Sequence, residues 1–307
     1  MDLLRARERR GKPLLHRQRR GVRGRKGALP GGGSRLRVTH RAAVLGRPVA
    51  HSWSPALHRA AYDALGLADW HYDAVECDEE RLPALLAGLD ATWAGLSLTM
   101  PLKRAALLLS SSASVAARAV GAANTLVPGD GGWHAENTDV AGLRVALAEV
   151  GVTRVRRAVV LGAGGTARAA LAALAEFGEC TPTVLVREPS RTVDLMAAAE
   201  RLGVRPILRR WPTVLDPDWD VLVSTVPAGA ADRLASGPWP PGGVLLDVVY
   251  APWPTALALA ARAAGVPAVV GGGEVLLHQA AAQVELMTGL AAPLAAMRTA
   301  LAQLLRR

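Results

Sequence analysis

Between an apolar run, Ala158-Val159-Val160-Leu161, and a helical pattern stands Gly162-Ala163-Gly164-Gly165-Thr166-Ala167-Arg168. That is a GxGxxA loop, and its spacing points to the binding of a dinucleotide. Gly162 permits a tight turn, Gly164 lets the backbone approach a pyrophosphate, and Ala167 lets the helix pack close to the strand. The phosphates then meet unpaired N–H groups at the positive end of the helix. An acidic residue about 20 positions further on would bind the ribose hydroxyls of NAD. The stretch here is Val186-Arg187-Glu188-Pro189-Ser190-Arg191. Arg187 and Arg191 suit a 2′-phosphate, so NADP is favoured; Glu188 argues for NAD, which stays open.

Five further stretches gather polar residues where strands end and helices begin: 51–55 (HSWSP), 97–103 (SLTMPLK), 121–125 (GAANT), 136–139 (ENTD) and 273–279 (GEVLLHQ). Each alone has an ordinary explanation. Ser54 serves as a helix N-cap with Pro55 at the first helical position, Lys103 as a surface cation, Asn137 and Asp139 as turn or cap residues, and Gln279 as a solvated helix residue. Their order around the glycine loop is less ordinary.

These residues need elements to hold them. The chain has 307 residues, half of them apolar and only 4% aromatic, which suits Ala-, Val- and Leu-rich helices on a parallel sheet. Strands are predicted at 42–46, 71–75 and 95–99, with helices at 54–65 and 79–89 between them, a βαβαβ unit. A helix at 114–120, a hairpin turning at 128–132 and a helix from 139 to 150 follow. A second alternating series has strands at 158–161, 183–186, 221–224, 244–247 and 268–270, with helices at 165–177 and 192–202. Helices at 274–287 and 292–305 close the chain. The expectation is an α/β protein: an N-terminal α/β substrate domain at 41–138, completed by 274–307, and a Rossmann-like doubly wound dinucleotide domain at 139–273.

Residues 1–40 are different. Residues 1–41 carry 14 Lys and Arg against Asp2 and Glu8, whereas the rest of the chain is nearly neutral. The formal charge of +10 therefore belongs to this segment, which shows no apolar periodicity and is read as a disordered Arg-rich extension. It has no aromatic residue for base stacking, so nucleic acid is not the expected partner, although a nucleic-acid-binding protein acting through this arm is the reading outside enzymes. Two cysteines, Cys77 and Cys180, form neither a disulfide framework nor a zinc spacing, and no metal is expected. No apolar run reaches the ~18 residues of a membrane span. The expected compartment is the cytoplasm.

Taken together, the stretches resemble the shikimate dehydrogenase family from about Arg41 to the C-terminus, at HSxSP, TxPxK, GAxNT, NTD and GAGGxxR. The resemblance implies that Ser52 and Ser54 hold a substrate carboxylate. It implies that Thr99, Lys103, Asn124, Asp139 and Gln279 meet ring hydroxyls, and that Tyr250 lines the pocket from the cofactor side. It gives Lys103 as general acid/base with Asp139 as its orienter. On the cofactor side it implies Gly162 to Ala167, Arg187, Arg191 and Gly272. The expected reaction is reversible reduction of 3-dehydroshikimate to shikimate by hydride transfer from NADPH, in a monomer or homodimer. An NAD-dependent quinate/shikimate dehydrogenase and a relative acting on an aminated ring acid are the alternatives; Ser52, Ser54 and the NTD stretch count against the methylenetetrahydrofolate dehydrogenases. The chain departs from the family at Ser97, where Asn is usual and where less reach to a ring hydroxyl is expected. It departs also at Val140 after NTD, at Val186 and Glu188, and at the apolar run after Thr225.

Overall fold

The computed structural model describes residues 39–306, without the Arg191 side chain; the expected Arg-rich extension lies, up to Val38, outside the described residues. The first series comprises β1 (His40–Gly46), α1 (Ser54–Ala64), β2 (Trp70–Glu76), α2 (Leu82–Ala87) and β3 (Trp93–Leu98). It continues through α3 (Lys103–Leu109), β4 (Ser112–Ala113), α4 (Val115–Val120), β5 (Thr125–Gly129) and β6 (Gly132–Glu136). These strands form one mixed sheet in the order β2-β1-β3-β5-β6-β4. β1 pairs in parallel with both β2 and β3, and β5 runs antiparallel to β3 and β6. Residues 42–46 of β1 are all buried, as expected of a strand covered on both faces.

The second series begins with α5 (Thr138–Glu149) and β7 (Ala158–Leu161), then α6 (Gly165–Glu176), β8 (Thr183–Val186), α7 (Val193–Leu202) and β9 (Ile207–Arg210). It ends with β10 (Val221–Ser224), β11 (Val244–Asp247), α8 (Ala256–Ala263) and β12 (Ala268–Gly271). The sheet is parallel throughout, ordered β12-β11-β10-β7-β8-β9. That is the doubly wound order, whose direction reverses between β7 and β10. α6 buries eight successive residues, Ala167–Leu174, so its alanines let it sit close against neighbours on every side. α9 (Gly272–Thr288) and α10 (Leu294–Leu304) return to the first sheet and pack on α1 through Leu57, Ala61, Leu277, Val284, Met297 and Leu301.

Several local expectations need correction. Ser54 is not the N-cap of α1: Trp53 holds that position, no side chain caps the helix, and Ser54 is its first residue. α2 is shorter than 79–89, because residues 78–81 form a turn closed by the Arg81 N–H on Asp78 Oδ1. α3, β4, β9 and α8 are additional elements, each short. Among the described residues, no helix is long and apolar enough to cross a membrane.

α5 and α9 are the two helices that pass between the sheets, and Gly142 sets their separation. A β-carbon there would lie 2.8 Å from the Val275 carbonyl oxygen and 3.2 Å from the Gln279 backbone nitrogen. On an exposed helix Gly→Ala gains ~1 kcal/mol, but overpacking against fixed backbone costs ~1–3 kcal/mol. Overpacking should prevail, so Gly142→Ala is expected to lower the urea midpoint; an unchanged or higher midpoint would show that the helices can part freely.

Candidate active site

The outlet of β3, the start of α3, the entry to β5, the first turn of α5 and the middle of α9 meet at one cavity of about 170 Å³. Ser52, Ser54, Thr99, Lys103, Asn124, Asp139, Tyr250 and Gln279 all line it. Gly46 at the end of β1 makes room for Thr99, since a β-carbon there would fall 2.3 Å from Thr99 Cγ2. The Ala123 N–H donates to the Lys103 carbonyl at 2.8 Å, holding the start of α3 beside the entry to β5.

Lys103 Nζ donates to Asp139 Oδ2 at 2.5 Å, with side chains only 20% and 12% exposed. A pair this sheltered is screened far less than a surface ion pair. Asp139 sits in the first turn of α5, where the helix end favours a carboxylate. Its other oxygen, Oδ1, accepts from Asn124 Nδ2 at 2.8 Å. Asn124 in turn accepts the Thr138 N–H on Oδ1 at 2.7 Å and donates to Gln279 Oε1 at 3.2 Å. Asn137 donates to the Ala122 carbonyl at 2.8 Å rather than capping α5.

At another wall, the Ser54 N–H donates to Ser52 Oγ at 3.3 Å, which leaves the Ser52 hydrogen free to point at a carboxylate. Tyr250 comes from the segment after β11, anchored by buried Asp247. That carboxylate accepts Thr255 Oγ1 at 2.8 Å and the Val249 N–H at 3.2 Å, and burial pushes it above the usual carboxylate range. Burial also pushes the Tyr250 phenol up, so the hydroxyl remains a donor. The Trp53 ring lies against it, centroids 4.7 Å apart.

The cofactor-side residues separate into two groups. Gly162–Ala167 form the turn and first helical residues after β7, at the switch point of the sheet. Gly162 has φ +103°, and a β-carbon would lie 2.8 Å from Thr225 Oγ1. Gly164 is the N-cap of α6, has no side-chain cap, and faces open space where a β-carbon would stand. That uncapped helix end fits a pyrophosphate. Thr166 and Gly272 line the 170 Å³ cavity as well, and Gly272 presses on the Val248 backbone so closely that a β-carbon would be 2.0 Å from its carbonyl oxygen. A β-carbon on Gly165 would lie 3.9 Å from Lys103 Cδ, so the phosphate loop and the lysine are neighbours. Arg187 is elsewhere, exposed at the end of β8 with its guanidinium 6.0 Å over the Trp211 ring. The Arg191 side chain lies outside the described residues.

Sequence reasoning did not single out Gln283 and noted Ser97 only as a departure with less reach to a ring hydroxyl, yet both line the cavity. The signals were present: Ser97 lies two residues before Thr99 across the end of β3, and Gln283 lies four residues after Gln279 on one face of α9. Behind Gln283 is His58, fully buried, its Nε2 3.3 Å from Gln283 Oε1.

This arrangement defines a class: a dinucleotide-dependent oxidoreductase on a mixed α/β sheet joined to a doubly wound parallel sheet. The family model "Shikimate dehydrogenase substrate binding domain" matches residues 44–126, and "Shikimate 5'-dehydrogenase C-terminal domain" matches 272–302. The chain is 39% identical over 277 residues to the shikimate dehydrogenase (NADP(+)) of Anaeromyxobacter sp. (strain Fw109-5), covering 84% of this chain and 94% of that protein. The crystal structure of Mycobacterium tuberculosis shikimate dehydrogenase aligns with TM-score 0.76 and 45% identity, over 86% of this chain and 99% of that one. That of the Thermus thermophilus enzyme in complex with NADP(H) and shikimate aligns with TM-score 0.75 and 35% identity, again over 86% and 99%. The chain belongs to the shikimate dehydrogenase family.

Burial lowers the His58 imidazole from 6.5 to about 3, against a smaller opposing effect of its hydrogen bond to Gln283. The native state thus keeps it neutral while the unfolded chain protonates it near 6.5. Between those values the unfolded state binds the extra proton, and stability falls as pH falls. Urea titrations from pH 7 to pH 4 should show an acid slope that His58→Gln reduces, by up to ~1.4 kcal/mol per pH unit; equal slopes in both proteins would contradict a neutral buried imidazole.

Proposed function

We propose that this chain is an NADP-dependent shikimate dehydrogenase, reversibly reducing 3-dehydroshikimate to shikimate in aromatic amino acid (chorismate) biosynthesis. The carrying observation is the Lys103–Asp139 pair, set in a cavity lined with hydroxyl and amide groups and next to the phosphate loop. Residues 41–138 with 274–307 act as the substrate half, and residues 139–273 as the cofactor half.

Ser52 and Ser54 hold the ring carboxylate at the α1 end, with the Tyr250 hydroxyl donating beside them, its ring against Trp53. Thr99, Asn124 and Gln279 hold ring hydroxyls. With its pyrophosphate held along Gly162–Ala167, the dinucleotide would supply or take the hydride through its nicotinamide. In the reductive direction Lys103 gives a proton to the ketone oxygen as hydride reaches carbon, so the alkoxide never stands free; in oxidation it takes that proton back. Asp139 fixes the ammonium by one oxygen and is itself fixed by Asn124 through the other.

NADP is preferred to NAD because of the basic residue that follows β8. The neighbouring Glu188 carboxylate caps the short helical turn at 189–192, one of its oxygens accepting the Ser190 N–H at 3.3 Å. Arg187 next to it is exposed and available to a 2′-phosphate. We read the compartment as cytoplasmic from the two free thiols, one buried and one exposed. A monomer or homodimer without a nucleic-acid partner completes the reading, and sedimentation with and without duplex DNA checks it.

Lys103→Ala should lower kcat by ~10²–10⁴-fold with a much smaller effect on KM for shikimate, as expected of a lost proton donor. Wild-type-like turnover in that variant would remove Lys103 from the chemistry. Arg187→Ala should raise KM for NADP by roughly tenfold and leave KM for NAD nearly unchanged. Equal effects on the two dinucleotides would point away from a 2′-phosphate contact.

A further inference from the structure

Beneath the cavity lies a buried chain of hydrogen bonds from Tyr72 through Ser97 to Gln283, and a main-chain carbonyl decides its directions. The Asn124 carbonyl can only accept, and it lies 3.2 Å from Gln283 Nε2, so the amide nitrogen of Gln283 faces β5. The second amide hydrogen goes to Thr125 Oγ1 at 2.9 Å. Thr125 can accept it because its own hydrogen goes to Asn124 Oδ1 at 3.0 Å. Gln283 Oε1 therefore faces Ser97, and an amide oxygen only accepts, so Ser97 Oγ gives its one hydrogen to it at 2.8 Å. Tyr72 Oη, 2.6 Å from Ser97 Oγ, must then be the donor in that contact. His58 must likewise present Nε2–H to Gln283 Oε1, and its ring stacks on Tyr72 with centroids 3.9 Å apart. Ser97 has used its hydrogen and one lone pair. Only a lone pair remains for the cavity it lines.

We propose that Ser97 acts as an obligate hydrogen-bond acceptor in the substrate cavity, with Tyr72 and Gln283 as the positioning residues that impose this polarity. Whatever sits at Ser97 must be a donor. A ring carboxylate is an acceptor, and the reacting oxygen becomes one in the ketone, so neither belongs there. The group recognised is a ring hydroxyl that survives both directions of the reaction. An amide side chain would carry donor and acceptor together, whereas Ser97 wired in this way discriminates between them. The inference rests on the reading of the site as one for a polyhydroxylated ring acid.

The test is steady-state kinetics of the full chain with NADP, on shikimate and on deoxy analogues each lacking one hydroxyl that is not oxidised. The wild type should lose roughly tenfold or more in kcat/KM on the analogue whose missing hydroxyl faces Ser97. Ser97→Ala should raise KM for shikimate to a similar extent, keep most of kcat, and show no further loss on that analogue. Gln283→Leu removes the acceptor that holds the Ser97 hydrogen and leaves the hydroxyl free to turn, so the same discrimination should shrink. Unchanged discrimination in Ser97→Ala, or a fall in its kcat with KM unaltered, overturns the proposal. Absence of shikimate turnover by the wild type would overturn the substrate reading and this proposal together; normal turnover with unchanged discrimination overturns this proposal alone.

Discussion

The site depends on one main-chain group, the Thr138 N–H, which donates to Asn124 Oδ1. A backbone N–H cannot accept, so it leaves the Asn124 amide a single orientation. Nδ2 then points to Asp139, which is held by Asn124 on one oxygen and by Lys103 on the other. The same residue's carbonyl sets the orientation of Gln283. Two amide side chains that could each have been placed either way round are thus decided by peptide groups at the entries to β5 and α5. These groups lie in a sheltered cavity, where an unmade hydrogen bond costs ~1–3 kcal/mol, so the arrangement has little freedom to reverse.

Packing gives this polar network its rigidity. Gly142 lets α5 and α9 touch, which brings Asp139 at the start of one helix to Gln279 and Gln283 on the other. α9 is held on its far side by α1 and α10 through an aliphatic cluster. The doubly wound sheet presents its glycine loop at the switch point, and the closeness of Gly165 to Lys103 ties that loop to the Lys103–Asp139 pair. Small residues recur where the machinery must converge: Gly46 beside Thr99, Gly142 beside α9, Gly272 beside Val248. At each of these places a β-carbon would collide with fixed atoms.

The sequence by itself carried the alternation of strands and helices and the glycine loop, and its resemblance to the family carried the eight polar residues around the cavity. The first two are local in origin. Apolar periodicity depends on neighbours a few positions apart, and the loop's small residues report constraints that act within one βα turn. The seven-residue α3 and the short edge strand β9 escaped because segments of that length are stabilised by what they pack against, with too few residues to show a period. Ser54 carried an N-cap signature, but Trp53 became the cap because Ser52 Oγ takes the Ser54 N–H just ahead of the helix. Only the tertiary structure brought Ser97 on β3, Gln283 on α9, Tyr72 on β2 and His58 on α1 together, across as many as 225 positions. It also decided that Glu188 caps a turn and that the Ser97 hydrogen goes to Gln283. Residue type sets how many hydrogens a side chain can give; which partner takes them depends on groups distant in the chain.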